Sequence, residues 1–415
     1  MEREHESADV VVVGGGIAGS ALATALARNG LAVLVLERQT AYRDKVRGEV
    51  LVCWGVAEMQ RLGLEKPLLD AGGGYVTRMV PYDESRDPSQ ARAQALALDQ
   101  LLPDVPGCLD VGHPEACEAL AQAAVSAGAT VIRGVGDVEV TAGSSPAVRY
   151  EHDDVAHEVS CRLVVGADGR MSTVRRQLGI TLHQSTPRTM GGGMLVDELH
   201  SWPSDQISIG TEGDLHFLIF PRPGGHARLY LLHDIAQKGR FAGPTRQADF
   251  LTAYQFRCIP DSGMFGAARP AGPCAFYPMN DSWTDPPFAP GAVLVGDAAG
   301  WSDPIIGQGL SIAMRDARTV ADILCSTRDW SPTSFVEYGA ERSERMRRLR
   351  IAAQVSTDLY TTFGPEGAAR RHTYLGLMAT DPVLAGPRIV TQIGPDRVPA
   401  ESFEKFTIDR ILALH

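Results

Sequence analysis

Short apolar runs that end at glycine or at an acidic residue set the pattern of this chain. Val10–Val13 is the first run, and it leads through a glycine-rich turn into a helical stretch that continues to Arg28. Asn29-Gly30 is a helix stop signal, and the second run, Leu31–Leu36, ends at Glu37. An unbroken apolar run of this length is typical of a parallel strand buried on both faces. The pattern therefore predicts a strand–helix–strand unit.

Two later apolar runs end in a similar way. Leu163–Val165 is followed by Asp168-Gly169, and Ala292–Val295 is followed by Gly296-Asp297. After the second of these motifs the chain has several glycines and then a stretch that reads as a helix. A carboxylate at a strand end, with a glycine-lined gap before a helix start, indicates that a bound group is held there.

Alternation replaces continuous apolar runs in the region between these motifs. Residues 216–221 and 228–232 alternate in character on either side of a Pro-Gly-Gly turn. This period of two, interrupted by turn residues, predicts a β-hairpin.

Composition and charge exclude some classes of function. The chain has 415 residues, 44% of them hydrophobic, and a formal net charge of -11. Nucleic-acid binding is disfavoured, because it requires clustered Lys and Arg.

The seven cysteines include no CxxC pair, so we predict no metal site and expect a reducing, cytoplasmic environment. The charged N-terminal stretch lacks a signal-peptide core, and no apolar run approaches the roughly 18 residues of a membrane span.

The glycine-rich turn carries the first chemistry. Gly14, Gly16 and Gly19 fit the GxGxxG spacing between strand and helix. The first glycine allows a tight turn, the second lets backbone approach a pyrophosphate, and the third lets helix and strand pack closely. The helix N-terminus attracts phosphates, and Glu37 stands where an acid can accept from ribose hydroxyls. The unit predicts a bound dinucleotide without separating NAD from FAD.

Together with the Asp168-Gly169 and Gly296-Asp297 motifs, the unit resembles the class A FAD-dependent aromatic monooxygenases of the para-hydroxybenzoate hydroxylase type. The resemblance covers most of the chain and implies FAD as the cofactor, with NAD(P)H as co-substrate. In that family the first unit binds the ADP half of FAD. The resemblance further implies that Asp168 supports the pyrophosphate region and that Asp297 binds the ribityl hydroxyls. A helix or turn cap is the alternative for Asp297.

Other site residues follow from the same resemblance. Arg47 and Gly48 match an Arg-Gly segment whose arginine reaches the flavin or the pyrophosphate, and we predict catalytic roles for Arg47 and Pro304. His113 stands where family members often have an arginine, and Ser311 where they usually have Asn. A solvated ion pair for Arg47 and a plain helix-start position for His113 are the alternatives. The remaining predicted cofactor-binding residues are Ile17, Ala18, Arg38, Val135, Gly307, Gly309 and Leu310.

The resemblance also implies the fold class and the domain organisation. We expect an α/β protein with a GR2-type, Rossmann-like FAD-binding domain built on a parallel sheet, formed by residues 1–73, 102–180 and 288–370. A mostly antiparallel β-sheet substrate domain would be inserted at 74–101 and 181–287. Residues 371–415 would form a C-terminal helical segment.

The inserted sheet is expected to cover the flavin and to bind the substrate. Candidate substrate-binding residues are His216, Phe220, Tyr230 and Tyr277, with ordinary sheet packing as the alternative for each. The charge run 341–350 predicts a solvated helix face with i,i+4 ion pairs.

The expected function is that of an FAD-dependent monooxygenase. In the family, NAD(P)H reduces FAD, O2 forms a flavin C4a-hydroperoxide, and one oxygen hydroxylates or epoxidises a small organic substrate, often aromatic or polyketide-like. The alternatives are a flavin-dependent reductase of isoprenoid double bonds, a flavin-dependent halogenase, for which no WxWxIP segment is present, and a non-catalytic FAD-binding protein. We expect a monomer or homodimer without nucleic-acid or membrane partners.

Overall fold

The computed structural model describes residues 6–414; the first five residues of the charged N-terminal stretch discussed above lie outside this range. The strands are β1 Glu6–Val13, β2 Val33–Glu37, β3 Val50–Leu51, β4 Gly74–Val76, β5 Arg78–Asp83, β6 Leu96–Ala97, β7 Cys108–Asp110, β8 Thr130–Arg133, β9 Val138–Thr141, β10 Ala147–His152, β11 Val155–Gly166, β12 His183–Gln184, β13 Thr189–Asp197, β14 Gln206–Glu212, β15 Leu215–Arg222, β16 His226–Asp234, β17 Arg269–Pro270, β18 Ala275–Met279, β19 Ser282–Trp283, β20 Phe288–Ala289 and β21 Ala292–Leu294.

The α-helices connect and cover these strands. They are α1 Ile17–Arg28, α2 Cys53–Arg61, α3 Glu65–Asp70, α4 Pro88–Ala93, α5 His113–Ser126, α6 Thr173–Gln177, α7 Arg246–Ala253, α8 Gly263–Ala267, α9 Gly309–Ser326, α10 Val336–Tyr360, α11 Pro365–Leu377, α12 Pro382–Ile393 and α13 Lys405–Leu412.

The first large sheet contains the predicted strand–helix–strand unit. Its strand order is β20-β21-β11-β1-β2-β8, and β1, β2, β8, β11 and β21 run parallel. Val10, Val11 and Val12 are fully buried because helices or strands cover both faces of the sheet. The carboxyl ends of β1, β11 and β21 therefore carry the three predicted motifs to one edge of one sheet, and the predicted α/β fold class is confirmed.

The second large sheet has the order β17-β13-β16-β15-β14-β5-β6, with β18 also paired to β13. The predicted hairpin is confirmed: β15 and β16 are antiparallel around Pro223–Gly225. One face of this hairpin packs with α7 and α8. The other face, which we call the inner face, packs toward the core of the first sheet through Leu218, Phe220, Tyr230 and Leu232.

Two local predictions for the inserted segments are wrong. Residues 91–93, predicted as sheet after a polar linker at 83–90, form the end of helix α4, because Pro88 fits the first helical position and the Asp87 side chain accepts from the Ser89 N–H at 2.8 Å. The strand Gly74–Val76 joins a separate three-stranded sheet with β3 and β7 instead of the large inserted sheet. Local helix capping explains the first difference, and pairing with strands distant in sequence explains the second.

The helices after residue 336 form one further layer. The expected boundary at residue 370 falls inside α11, whose residues pack with the end of α10 and with α12 and α13. Arg371 ties this layer to β5: its Nε donates to Asp83 at 2.6 Å, and its Nη2 donates to Glu84 at 2.9 Å. Within residues 6–414, none of the helices has both the length and the apolar character needed to span a membrane.

The charge run on α10 predicts a solvated face, and this prediction is wrong for two of its arginines. Arg342 and Arg345 are only 2% and 1% exposed. The i,i+4 pairs are present, with Arg345 Nε donating to Glu341 at 2.9 Å and Arg348 Nε donating to Glu344 at 2.7 Å. The helix is charged all round, so its own sequence does not mark which side faces the protein interior.

Replacing Arg371 by Gln should destabilise the protein strongly. Asp83 would remain buried without its cation, and breaking one side of a buried ion pair costs about 3–5 kcal/mol. Urea unfolding followed by circular dichroism measures this free energy. On the same helix, Arg370→Gln removes only a hydrogen bond to the Leu414 carbonyl and should cost about 1 kcal/mol. Equal losses in the two variants would contradict the assignment.

Candidate flavin and substrate site

The glycines of the first turn differ in the space around them. Gly14 has a φ of +105°, and a Cβ there would lie 2.4 Å from the Ala167 carbonyl oxygen. A Cβ on Gly19 would lie 1.9 Å from the Gly14 carbonyl oxygen. These two positions require glycine for the fold itself. Gly16 has an ordinary φ of -77° and open space around its Cβ position, so the space beside the start of α1 is free.

Glu37 closes the turn from the end of β2. Its Oε2 accepts from the Gly15 N–H and its Oε1 from the Gln39 N–H, both at 2.8 Å. The Val135 N–H donates to the Glu37 carbonyl oxygen at 3.2 Å, which brings the chain after β8 alongside. Arg38, by contrast, is exposed. The Glu37 carboxylate is thus fixed against the glycine turn.

Asp168 is engaged within its own loop. Its Oδ1 accepts from Ser172 Oγ at 2.5 Å, and its Oδ2 accepts from the N–H groups of Thr173 and Val174 at 2.6 and 3.2 Å. The loop packs on the glycine turn, because a Cβ at Gly14 would lie 2.7 Å from the Asp168 nitrogen. Asp168 therefore shapes the loop beside the turn, with both carboxylate oxygens already accepting hydrogen bonds.

Asp297 lies in a tight turn, Gly296–Ala299, at the end of β21. The first glycine of this turn has a φ of +58°, and a Cβ there would lie 3.0 Å from the Ala18 Cβ. The turn therefore packs on the first turn of α1. Asp297 Oδ2 accepts from Arg170 Nε at 3.2 Å, and 35% of the Asp297 side chain stays exposed. Its carboxylate can be reached from outside the fold.

A fully buried ion cluster holds this turn in place. Asp316 on α9 accepts from the Gly296 N–H at 2.8 Å, from Arg342 Nε at 2.9 Å and from Arg345 Nη2 at 2.7 Å. Burial alone would raise the pKa of Asp316, but the adjacent guanidiniums outweigh it and lower the pKa. Arg342 also donates to the carbonyl oxygens of Gly296 and Ala299 in the turn, at 3.1 and 2.8 Å, and to that of the next residue, Gly300, at 2.9 Å.

The segment between this turn and α9 has an open side. Pro304 begins a short 3-10 turn and is exposed. Gly307 has a φ of +62°, the left-handed region that favours glycine. A Cβ on Gly307 or on Gly309 would meet nothing within 4 Å. The backbone that leads into α9 therefore borders free space.

Side chains in the same segment anchor its other side. Gln308 is fully buried; its Oε1 accepts from Trp54 Nε1 at 2.8 Å, and its Nε2 donates to the Thr391 carbonyl oxygen at 3.1 Å. Ser311 points its hydroxyl toward α2, because a Cβ on Gly55 would lie 2.0 Å from Ser311 Oγ. The Ser311 side chain is therefore turned away from the open side.

Gly48 lies against two other predicted site residues. It has a φ of +73°, and a Cβ there would lie 2.6 Å from His113 Cδ2 and 3.5 Å from Leu310 Cδ2. Burial lowers the pKa of His113, and the charge of Lys45 acts in the same direction. His113 is therefore a neutral imidazole near neutral pH.

Arg47 connects this region to the inserted sheet. Its guanidinium carbon lies 4.2 Å from the centre of the Tyr277 ring, and Tyr277 Oη donates to the Lys45 carbonyl oxygen at 3.3 Å. Burial lowers the pKa of Arg47, the charge of Arg170 lowers it further, and Tyr277 and Asp297 oppose this shift. The predicted residues Arg47, Tyr277 and Asp297 are thus within electrostatic reach of one another.

Phe220 and Tyr230 form an aromatic pair on the inner face. Their ring centres are 5.8 Å apart in an edge-to-face arrangement, and burial raises the pKa of Tyr230. His216 is engaged elsewhere: its ring stacks on Tyr360 at 5.2 Å, and its Nδ1 lies 3.0 Å from Thr211 Oγ1. Burial lowers the pKa of His216 to about 3. His216 therefore packs the inner face against the C-terminal helices.

Two buried carboxyls precede the open segment. The Asp303 N–H donates to Asp281 Oδ1 at 2.8 Å, and Asp303 Oδ1 accepts from the Ile305 N–H at 2.9 Å. Burial raises the pKa of Asp281 to about 7 and that of Asp303 to about 6. Both groups hold a proton well above the usual range of an aspartic acid.

The residues beside two open regions of this arrangement suit parts of an FAD molecule. Open space beside Gly16 lies at the positive end of α1, where Ile17 and Ala18 are buried in the first turn, and such an end attracts a pyrophosphate. A second open region borders Gly307 and Gly309. The motif turns carrying Asp168 and Asp297 follow the neighbouring strands β11 and β21 at the same sheet edge.

The family described as "FAD binding domain" matches residues 7–352. The chain belongs to this family. The match confirms the predicted FAD-dependent family and covers all three motifs.

Relatives of this FAD-binding family extend over most of the chain. A menaquinone reductase from Mycolicibacterium smegmatis is 28% identical over 383 residues, which cover 86% of this chain and 87% of the relative. A rifampicin monooxygenase from Streptomyces venezuelae is 26% identical and covers 98% of this chain and 78% of its own length. The crystal structure of p-nitrophenol 4-monooxygenase from Pseudomonas putida has a TM-score of 0.75 at 17% identity, covering 95% of this chain and 100% of that one.

The sequence pattern misses several residues that shape the FAD-binding site. Gln308 could have been found, because it stands between two glycines of the motif. Asp316 lies two helical turns into α9 and is polar at a position that faces the interior. Arg342 gives no local signal, because it stands within a run of charged residues at 341–350. The burial of Asp281 and Asp303 likewise gives no local signal, because it depends on the tertiary packing around them.

Substitution of Gly16 by Ser should weaken FAD binding and leave the fold intact. The side chain would enter open space in the apo-protein, and Ser is a favoured residue before a helix. It would keep the backbone from a pyrophosphate, so we expect about tenfold or greater loss of FAD affinity. Titration with FAD and thermal unfolding of the apo-protein measure the two effects.

Gly14→Ala is the matched comparison for that variant. Its Cβ would clash with backbone at a positive φ, which should destabilise the apo-protein itself by about 1–3 kcal/mol. If Gly16→Ser destabilised the apo-protein as much as Gly14→Ala does, the space beside Gly16 would not be free.

The raised pKa of Asp281 should make stability depend on pH. Between pH 3.8, the ordinary value, and about 7, the folded state keeps a proton that the unfolded state releases. The free energy of unfolding should therefore fall as pH rises through this window. Asp281→Asn retains the acceptor for the Asp303 N–H and should flatten this fall, as measured by urea unfolding from pH 5 to 8. The exposed control Asp153→Asn should keep the wild-type slope; an unchanged slope in Asp281→Asn would refute the assignment.

Proposed function

We propose that the chain is an FAD-dependent monooxygenase that uses NAD(P)H and O2 to hydroxylate or epoxidise a small organic substrate. The observation that carries this proposal is the arrangement around Gly48. This glycine contacts Leu310 next to the open segment, while its neighbour Arg47 stacks on Tyr277 of the inserted sheet. A flavin in the open segment would therefore lie beneath the inner face.

Several groups would hold the cofactor. The start of α1 at Gly16 would take the pyrophosphate, Glu37 the adenine-side ribose and Asp297 the ribityl chain. The backbone N–H groups at the start of α9, at Gly309, Leu310 and Ser311, would face the pyrimidine edge of the ring. When bound, FAD supplies the redox chemistry, with NAD(P)H as electron donor and O2 as oxidant.

The chain's own contribution is positioning and exclusion of water. Phe220, Tyr230 and Tyr277 offer aromatic surface on the inner face for an organic substrate. Arg47 is held by Tyr277 beside Asp297, where it can orient the cofactor or its reductant. Pro304 fixes the start of the turn that leads to the open segment. His216 is excluded from this role, because Thr211 and Tyr360 occupy its ring.

The relatives support this reaction class and also one alternative. The rifampicin monooxygenase aligns with 98% of the chain, which favours the oxygenase. The menaquinone reductase aligns with 86% of it, which favours a flavin-dependent reductase, including one that acts on isoprenoid double bonds. Only the oxygenase consumes O2 and places an oxygen atom in its product.

Product analysis with isotopically labelled O2 tests the proposal. The FAD-loaded protein is mixed with NADH or NADPH and with aromatic, polyketide or polyprenyl-quinone candidates, and products are examined by mass spectrometry. We expect one labelled oxygen in the product together with substrate-stimulated NAD(P)H oxidation. The Gly16→Ser variant, prepared in parallel, should lose both signals.

The alternative has a different signature. A reductase would reoxidise its reduced flavin under anaerobic conditions when a polyprenyl alkene is added, with a product heavier by two hydrogens and without label. That result, together with unlabelled products in air, would replace the monooxygenase by a reductase.

A further inference from the structure

Five charged side chains meet where the inner face contacts the loop before β3. Asp44 and Glu49 come from that loop, Asp110 from the end of β7, and Arg222 and Arg228 from the β15–β16 hairpin. We call these five residues the inner-face ion cluster.

The cluster adjoins the aromatic pair of the candidate substrate surface. Arg228 is the register partner of Phe220, and it lies two residues before Tyr230 on the same side of β16. The charges of Arg228, Arg222 and Asp44 all act on Tyr230. A substrate that packs on Phe220 and Tyr230 would therefore be exposed to the field of the cluster.

Both arginines of the cluster are already paired with carboxylates. Arg228 Nη2 lies 2.5 Å from Asp44 Oδ2, and Arg228 Nε lies 3.0 Å from Glu49 Oε1. Arg222 forms an ion pair with Glu49, and its Nε lies 3.9 Å from Asp110 Oδ1. Three carboxyl groups thus surround two guanidiniums.

The ion pairs of the cluster are buried, and some of its polar atoms have no hydrogen-bond partner among the described residues. Arg228 and Asp110 are each 1% exposed, and Glu49 is 4% exposed. Among the described residues, both oxygens of Asp110 and the Nη1 of Arg228 lack a hydrogen-bond partner. Burial raises the pKa of Asp110 well above its usual range, so one proton on this group leaves the cluster without net charge.

The other guanidiniums near this surface are also engaged. Arg47 stacks on the Tyr277 ring, and Arg170 donates to Asp297. Asp44 and Glu49 take up the charges of Arg222 and Arg228. A carboxylate ligand beside Tyr230 would therefore meet two carboxylates and no unpaired guanidinium of the cluster, and like charges in a buried site are strongly unfavourable.

We propose that the inner-face ion cluster makes this enzyme select uncharged organic substrates and reject carboxylates, because Asp44 and Glu49 neutralise the arginines that would otherwise bind an anion. This inference deepens the proposed function and rests on it for the position of the substrate on the inner face. The unused polar atoms of Asp110 and Arg228 suit a neutral carbonyl or hydroxyl oxygen on such a substrate.

The proposal can be tested by measuring the affinity of the protein for two matched ligands, without any turnover. The FAD-loaded protein, without NAD(P)H, is titrated near neutral pH with 2-naphthol, which is uncharged, and with 2-naphthoate, which has the same ring and a carboxylate. Binding is followed through the flavin absorbance. We expect 2-naphthol to bind at least about tenfold more tightly than 2-naphthoate.

Variants that release one arginine provide the decisive comparison. Glu49→Gln removes the close ion pair of Arg222. Asp44→Asn removes one of the two ion pairs of Arg228 while keeping an acceptor for the Val46 N–H. Each variant should bind 2-naphthoate at least about tenfold more tightly than wild type does, with little change for 2-naphthol. Asp214→Asn, which breaks a partly exposed pair with Arg240 on another part of the sheet, should change neither affinity.

The outcomes separate this inference from the proposed function. If wild type bound 2-naphthoate as tightly as 2-naphthol, or if neither folded variant gained affinity for 2-naphthoate, the inference would be overturned. If wild type bound neither ligand, a gain of 2-naphthoate binding in either variant would still support it. Flavin absorbance reports ligand binding and not turnover. A lack of labelled oxygen in every product would therefore refute the oxygenase, but it would leave the preference for uncharged ligands untouched.

Discussion

The buried carboxylate of Asp316 determines the position of the Gly296–Ala299 turn and, with it, of Asp297. An ionised carboxylate in a protein interior is tolerated only when its charge is paired and its oxygens accept hydrogen bonds. Arg342, Arg345 and the Gly296 N–H meet both requirements. Because Arg342 also binds three carbonyl oxygens in the turn and at the next residue, α9, α10 and the end of β21 can pack in only one arrangement.

The motif glycines fall into two groups: some are needed for packing of the fold, and others border open space. Gly14 and Gly19 lie against backbone, so the parallel sheet and α1 could not pack with larger residues there. Gly16, Gly307 and Gly309 border open space, so nothing in the protein itself requires glycine for room at those positions. At Gly16 and Gly309, close approach of the proposed FAD to the backbone would account for the lack of a side chain, which agrees with membership of the FAD-binding family. At Gly307 the positive φ by itself favours glycine.

Charge balance distinguishes the two buried ion clusters. Around Asp316, two arginines surround one carboxylate and lower its pKa, so the group stays ionised and the turn stays fixed. In the inner-face ion cluster, three carboxyl groups surround two arginines, and burial raises the pKa of Asp110. The first arrangement suits a rigid support. The second leaves hydrogen-bonding atoms unused beside an aromatic surface, which suits recognition of an uncharged ligand.

The sequence by itself determined the parallel strands, the glycine turn, the hairpin and the FAD-dependent family, because these depend on residues within a few positions of one another. Local patterns could not place Arg342 inside the protein, since its helix is charged on every side and only contact with α9 buries one of them. The sequence likewise singled out His216 and Tyr230 by the same alternation on one sheet face. Only the tertiary structure separated them, because Tyr360 of a distant helix covers the first ring, whereas Phe220, Arg228 and the loop before β3 surround the second.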